Sequence, residues 1–237
     1  MIILVIITPL FHLGKDKLMT QHLQQDVSHM LNCLQTTDTQ TYPYQHWLPS
    51  GLFQDQIVDE MLDVPFECHM LDYTVGSREE HNPTRQYVNP EAIEKYEACK
   101  RIADIFRDPK VIAKFEQMGN MSLKDTLLRM EYALDTEGFW LEPHTDIGVK
   151  MFTMLIYMSK DEDALGWGTD IYESKEKHAR TVPFKSNSAL MFIPSNQTWH
   201  GFEPRVIKGI RKTLIVNYVT QDWRNRHELT HPSQPVY

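Results

Sequence analysis

The spacing of apolar residues divides the chain into a helical first half and a strand-rich second half. Over Thr20 to Leu34, apolar residues recur close to helical spacing, which predicts an amphipathic helix. Similar patterns predict a helix over Gln54 to Leu62 and two helices between Pro90 and Met118, with a break at Pro109. From about Leu127, short apolar runs alternate with turn-forming residues, which is typical of strands.

These patterns predict one domain over residues 20–237, with supporting helices in about 20–126 and a β core in about 127–220. The first residues, MIILVIITPLF, are apolar but too few to span a membrane, and no basic residue precedes them as in a signal peptide. We interpret residues 1–19 as an N-terminal extension that need not be native, with Met19 as an alternative start. A buried strand is the second interpretation, and a membrane anchor the third.

Several short segments are rich in β-branched and aromatic residues, which favours strands. An early strand is predicted over Tyr42 to Trp47. The later predicted strands are Gly138 to Glu142, Met151 to Met158, Ala189 to Pro194 and Arg211 to Val219. The strand Ala189 to Pro194 enters a polar turn, Ser195 to Thr198, and the residues that follow this turn are expected at the rim of a β-barrel.

Three metal-binding side chains lie next to these segments: His144 and Asp146 in EPHTDIG, and His200 in TWHGFEP. On a regular strand, residues i and i+2 point to the same face, so His144 and Asp146 could bind one ion together. Two imidazoles and one carboxylate are the ligand set of non-heme Fe(II) oxygenases. Chance is the alternative, because the chain has 11 histidines and an HxD triplet arises easily.

An arginine strengthens this interpretation. Arg211 opens the last predicted strand, and a guanidinium can bind a carboxylate through two parallel hydrogen bonds. Thr213, two residues further on, faces the same way and could donate its hydroxyl to the same carboxylate. A solvated charge at a strand end is the alternative for Arg211.

The order His144-Thr145-Asp146, His200, Arg211 resembles the HxD…H…R signature of the 2-oxoglutarate/Fe(II)-dependent oxygenase superfamily, and a prolyl-hydroxylase-like bacterial group within it. The resemblance runs from about Tyr42 to Thr230. It implies a mainly β fold with flanking helices, a double-stranded β-helix or jelly roll of cupin-like shape. It also implies Fe(II) on the three ligands, 2-oxoglutarate held by Arg211, and O2 as cofactors and co-substrates. Because chloride replaces the aspartate in related halogenases, Asp146 favours hydroxylation or a related two-electron oxidation, with release of succinate and CO2.

The resemblance suggests further residues in less specific positions. A tyrosine often supports the far carboxylate of the co-substrate in such oxygenases, and Tyr157 and Tyr132 are the two candidates, with ordinary core packing as the alternative. For the substrate, the polar segment His81 to Tyr87 suggests Asn82 and Arg85, and Trp199 is a candidate pocket residue. Exposed loop positions are the alternative for Asn82 and Arg85.

The net charge and the cysteine content limit the kinds of partner and the compartment that we expect. A net charge of −8 gives no basic surface for a polyanion, so no nucleic-acid partner and no membrane partner are expected. The three cysteines, Cys33, Cys68 and Cys99, match no disulfide framework and favour a reducing cytoplasm. The expected partner is a small-molecule or peptidyl substrate. Two alternatives remain: a cupin-like metalloenzyme that does not use 2-oxoglutarate, and a non-catalytic jelly-roll binding module.

Overall fold

The computed structural model describes residues 10–69, 76 and 79–237, so the interpretations of residues 1–9 lie outside the described part. The described residues form five α-helices: α1 (Leu10–Gln35), α2 (Asp55–Leu62), α3 (Pro90–Lys95), α4 (Glu97–Arg107) and α5 (Pro109–Gly119). None of the helices in these ranges combines the length and apolar character that crossing a membrane requires.

The helical predictions are largely confirmed. The region from Pro90 onward forms three helices instead of the predicted two, because Tyr96 adopts an extended conformation (φ −124°, ψ 116°) and separates α3 from α4. Helix α5 starts at Pro109 as predicted, and the Asp108 side chain caps it by accepting a hydrogen bond from the Lys110 amide at 2.8 Å. Helix α1 starts well before the predicted Thr20.

Eleven strands are present in the described residues: β1 (Thr39–Gln40), β2 (His46–Trp47), β3 (Arg85–Tyr87), β4 (Leu127–Asp135), β5 (Leu141–His144), β6 (Lys150–Tyr157), β7 (Asp170–Ser174), β8 (Lys177–Thr181), β9 (Ser188–Phe192), β10 (His200–Phe202) and β11 (Arg211–Val219). Three short 3₁₀ helices lie at Glu79–Thr84, Glu162–Gly166 and Arg226–Glu228. The predicted early strand shrinks to the two residues of β2, and the predicted polar loop at Asn82 is a 3₁₀ turn that leads into β3.

The strands form two antiparallel sheets. The larger has the order β1-β2-β9-β6-β11-β4-β3, and the smaller has the order β5-β10-β7-β8. One apolar cluster, which includes Trp167, Phe184 and Phe202, packs between the two sheets. A second and larger cluster joins the other face of the large sheet to the helices. The fold is therefore the predicted double-stranded β-helix with flanking helices.

Strand β4, with the sequence LLRMEYALD, is buried along its whole length because both faces of the large sheet are covered. One set of alternate residues packs against the helices: Leu128, Met130, Tyr132 and Leu134. The other set lines a pocket between the sheets: Arg129, Glu131, Ala133 and Asp135. Strand alternation thus aims three charged side chains into the interior of the β-helix.

An aromatic cluster fixes the helices on the large sheet. The Phe115 ring of α5 stacks on the Phe152 ring of β6 at a centroid distance of 4.8 Å and also contacts Phe106 and Tyr218. We expect Phe115→Ala to lower the free energy of unfolding by about 3–5 kcal/mol, because it leaves a cavity in this packed layer. Urea unfolding followed by circular dichroism measures the loss.

The exposed Leu165 provides the control for this prediction, since 72% of its surface is accessible. Leu165→Ala should change the free energy of unfolding by less than about 0.5 kcal/mol. Equal losses in the two variants would contradict the assignment of Phe115 to the packed layer.

Candidate metal centre and adjoining pocket

The three predicted metal ligands meet at one point of the small sheet. His144 is the last residue of β5, and His200 is the first residue of β10, directly opposite it in the antiparallel pairing. Asp146 lies just beyond the end of β5, so an irregular segment, and not the regular strand predicted from the sequence, brings it beside His144. One potential ligand atom from each residue lies within 4.8 Å of the others. The structure therefore brings together a two-histidine, one-carboxylate set.

Backbone carbonyls orient both imidazoles. Nδ1 of His144 lies 2.8 Å from the Glu142 carbonyl oxygen, and Nδ1 of His200 lies 2.9 Å from the Thr198 carbonyl oxygen. A carbonyl oxygen only accepts hydrogen bonds, so each Nδ1 carries a proton and Nε2 is the nitrogen of each ring that is suited to bind a metal. Histidines that bind metals have their second nitrogen held in this way.

The charge states of the site also suit a cation. Burial, followed by the nearby His144, lowers the pKa of His200 to about 4, so this imidazole is neutral at physiological pH. Burial alone would raise the pKa of the Asp146 carboxyl, but the charge of Lys150 and the hydrogen bonds from Lys150 and Thr153 hold this pKa below its usual range. Asp146 is thus an anion beside the neutral imidazole of His200.

Asp146 is fixed at both carboxylate oxygens. The Thr153 hydroxyl donates to Oδ2 at 2.7 Å, and the Lys150 ammonium donates to Oδ1 at 2.5 Å. Each carboxylate oxygen can accept more than one hydrogen bond or ligand bond, so these contacts leave room for a metal bond. They fix the direction in which the carboxylate points.

Arg211 lies inside the pocket at the start of β11, where the sequence predicted it. Its Nε donates to the Trp167 carbonyl at 2.7 Å, and one Nη donates to the Asp135 carboxylate at 2.7 Å. Thr213 also lines the pocket, and its hydroxyl is buried without a hydrogen-bond partner, as is that of Thr169. A buried hydroxyl without a partner is costly, so these groups point to a polar ligand that supplies one.

A line of polar contacts leads away from the metal ligands along the inner face of the large sheet. The Asn217 amide donates to the Thr153 hydroxyl at 2.9 Å, and the same hydroxyl donates to Asp146. On the other side of Asn217, its oxygen accepts a hydrogen bond from Arg129 at 3.2 Å. The Arg129 Nε donates to Glu228 at 2.5 Å. Asn217 therefore couples the support of Asp146 to a buried arginine.

The same line of contacts continues to Arg211. Arg129 donates to one oxygen of Glu131, and the Arg85 Nε lies 3.0 Å from the other oxygen in an ion pair. Arg85 donates in turn to Asp135, which also accepts the hydrogen bond from Arg211. A continuous polar network thus joins the metal carboxylate to the arginine at the far end of the pocket.

The remaining predicted site residues lie in different environments, and not all of them line the pocket. Tyr157 is buried inside the β-helix, and its hydroxyl accepts a hydrogen bond from the Thr169 amide at 3.3 Å. Tyr132 lies on the opposite face of the large sheet, in the helix-side cluster, because β4 alternates, and we remove it from the proposed set. Asn82 and Trp199 line the pocket. Arg85 lines it as well, but as a buried member of the ion-pair network and not as an exposed loop residue.

Sequence reasoning missed most of the polar network, namely Lys150, Thr153, Glu131, Asp135, Asn217 and Glu228. The signal for part of it was present in the sequence of β4, where charged residues alternate with apolar ones. Arg129, Glu131 and Asp135 follow that period of two. The pocket that these residues line has a volume of about 770 Å³ and reaches from the three metal ligands to Arg211.

Comparison with known proteins agrees with this fold. The sequence matches no family model and no curated protein. Among solved structures, a prolyl hydroxylase from Trichoplax adhaerens is similar, at 14% identity and a TM-score of 0.53, over 85% of this chain and 92% of that one. A prolyl-4-hydroxylase from Pseudomonas putida is similar at 13% identity and a TM-score of 0.54, over 82% and 98%. One from Phytophthora capsici is similar at 10% identity and a TM-score of 0.55, over 84% and 65%.

These likenesses show the fold, and the triad is a property of this chain itself. Together they define the class: a double-stranded β-helix with two histidines and one aspartate at a common point. This is consistent with a 2-oxoglutarate/Fe(II) oxygenase-like protein, as the sequence resemblance indicated.

The hydrogen bond from Thr153 to Asp146 should raise the affinity of the site for a metal. Thr153→Val removes the hydroxyl that orients Asp146 while preserving the shape of the side chain, so we expect Fe(II) affinity to fall about 10–100-fold. Anaerobic equilibrium binding measures it. Thr153→Ser keeps the hydroxyl and should bind nearly as tightly as the wild type. Equal affinity of the valine variant and the wild type would show that Thr153 does not position the carboxylate.

Proposed function

We propose that this protein is a 2-oxoglutarate- and Fe(II)-dependent dioxygenase that hydroxylates a small-molecule or peptidyl substrate. The observation that carries the proposal is the placement of the triad and Arg211 in one pocket, linked by buried polar groups. The triad alone could be a metal site of another kind, and Arg211 alone could be a structural arginine. Their combination matches a ligand that chelates a metal at one end and carries a carboxylate at the other.

The donor set fits both groups. His144 and His200 would bind iron through Nε2, and Asp146 would bind it through a carboxylate oxygen, a set typical of non-heme Fe(II). At the other end, Arg211 and the unpartnered hydroxyl of Thr213 would hold the far carboxylate of 2-oxoglutarate. Three protein ligands on a six-coordinate metal leave positions for the keto acid and O2.

With 2-oxoglutarate and O2, an iron held by these residues would supply the oxidation of a substrate C–H bond to C–OH, coupled to conversion of 2-oxoglutarate to succinate and CO2. The protein's residues bind and orient. The Glu142 and Thr198 carbonyls hold the imidazoles, and Thr153 and Lys150 hold the aspartate.

Apolar side chains shield the anchor end of the pocket. The Arg211 guanidinium lies 4.6 Å from the centre of the Phe202 ring, and Phe139 packs against Phe202 at 5.3 Å. Excluding water from this end strengthens the hydrogen bonds between a guanidinium and a carboxylate. Leu155 and Ile215 line the pocket from the large sheet between the anchor and the metal ligands.

An oxygen-dependent succinate assay tests the proposal. The Fe(II)-loaded protein should convert 2-oxoglutarate to succinate slowly on its own, and faster when a library of metabolites and short peptides contains its substrate. Omitting Fe(II) or O2 should stop the reaction. Metal-dependent turnover of a library compound that needs no 2-oxoglutarate would favour a cupin-like metalloenzyme, and iron binding without any turnover would favour a binding module.

A further inference from the structure

Asp135 occupies an unusual position beside the proposed co-substrate anchor. Its Oδ2 accepts a hydrogen bond from Arg211 at 2.7 Å, and its Oδ1 accepts one from Arg85. The Asp135 side chain is completely buried. One carboxylate is therefore shared between two guanidinium groups on the pocket wall, and part of the positive charge of Arg211 is already neutralised.

The charges along this wall balance before any ligand arrives. Three buried arginines are paired with three buried carboxylates: Arg85, Arg129 and Arg211 with Glu131, Asp135 and Glu228. A carboxylate that binds at Arg211 adds a further negative charge close to Asp135. Like charges repel strongly in a buried site, where water screens them little.

The hydrogen bonds of Arg211 show which donor remains for the ligand. Its Nε is bound to the Trp167 carbonyl, and Nη1 is bound to Asp135. Among the described residues, none accepts a hydrogen bond from Nη2, and the Thr213 hydroxyl is also without a partner. The ligand thus meets one edge of a guanidinium whose neighbouring edge already holds a carboxylate.

From this geometry we propose that Asp135 is a specificity-determining residue: it weakens binding of the far carboxylate of the co-substrate and so sets the affinity of the pocket for a dicarboxylate. The inference rests on the proposed function, because it takes Arg211 as the anchor for that carboxylate. As a consequence, removing a buried charge of the pocket should tighten the binding of a co-substrate.

The test compares two ligands in the wild-type and Asp135→Asn proteins. 2-Oxoglutarate and 2-oxopentanoate share the chelating keto-acid end and the carbon chain, but only the first has the far carboxylate. Each ligand is titrated anaerobically into the Fe(II) protein, and binding is followed by the visible charge-transfer absorption of the chelate. We expect the substitution to tighten 2-oxoglutarate binding on the order of tenfold, and to leave 2-oxopentanoate binding unchanged.

Two control variants separate charge from packing. Asp135→Glu keeps the negative charge and should keep the wild-type ratio of the two affinities. Asp26→Asn removes a buried carboxylate that is bound at both oxygens by Arg101, outside the pocket, and should also keep this ratio. A shift of the ratio in Asp26→Asn as large as that in Asp135→Asn would overturn the proposal.

A second variant removes the buried Arg85 guanidinium, which loses one partner in Asp135→Asn. For Arg85→Met/Asp135→Asn we expect tighter binding of 2-oxoglutarate alone, by a smaller factor than in Asp135→Asn, because a nearby positive charge is lost as well. Weaker or unchanged 2-oxoglutarate binding, or an equal change for both ligands, would refute the role of Asp135. A wild-type protein that gives no absorption with either ligand would instead refute the proposed function.

Discussion

Replacing Asp146 with alanine is expected to abolish both iron binding and the conversion of 2-oxoglutarate to succinate. Asp146 is the only carboxylate of the triad, and its loss leaves two histidines beside the ammonium group of Lys150. The positive charge of Lys150 would then repel Fe(II), and no carboxylate of the triad would offset this repulsion. We expect succinate formation to fall by at least about 10³-fold, the scale on which loss of an essential group acts.

Metal analysis after anaerobic gel filtration, together with the succinate assay, measures both effects. Asp222→Ala is the control, because Asp222 is exposed and outside the pocket. It should retain iron and turnover. Succinate formation at the wild-type rate by the Asp146→Ala protein would refute the assignment of this carboxylate as a metal ligand.

Replacing Arg211 with alanine should have the second-largest effect. It should raise the 2-oxoglutarate concentration that the protein requires and leave its iron affinity unchanged. Truncating one partner of a buried, hydrogen-bonded charge pair costs about 2–5 kcal/mol of binding, so the half-saturating 2-oxoglutarate concentration should rise about 30- to 5000-fold. Asp135 keeps Arg85 as a partner, which limits the structural damage. Iron affinity should stay near that of the wild type because Arg211 does not contact the triad in the described residues.

Kinetics over a wide range of 2-oxoglutarate concentrations, with iron content measured in parallel, tests this split. Arg101→Ala is a useful comparison, because it removes another partly buried arginine that is paired with two carboxylates, Asp26 and Glu60, in the helical layer. It should lower stability without changing the 2-oxoglutarate requirement. An unchanged requirement in the Arg211→Ala protein would place the co-substrate anchor elsewhere.

The sequence predicted the main elements well where local pattern and final environment agree. Strand β11 matches its prediction from Arg211 to Val219, and β6 differs from its prediction by one residue at each end. The break at Pro109 was readable because proline fits the first turn of a helix but not its interior. The break at Tyr96 was not, because nothing in the local sequence forbids a helix there.

The candidate site was predictable in its ligands but not in its surroundings. An HxD triplet and a distant histidine carry their chemistry in the sequence, and so does an arginine at the start of a strand. The role of Tyr132 could not be read in the same way, because one step along β4 moves a side chain from the pocket to the helix-side core. The network through Asn217 depends on which strands become neighbours, and β11 reaches β4 and β6 only in the folded sheet.

We infer that His144, Asp146 and His200 share one iron while Arg211 holds the far end of a dicarboxylic keto acid. Anaerobic titration of the wild-type protein with Fe(II) and then 2-oxoglutarate tests both parts, through the visible charge-transfer absorption that only a metal-chelated keto acid produces. We expect this absorption to saturate at one iron and one 2-oxoglutarate per chain and to be lost in a His200→Ala protein. Saturable iron binding without this absorption, or the same absorption in the His200→Ala protein, would contradict it.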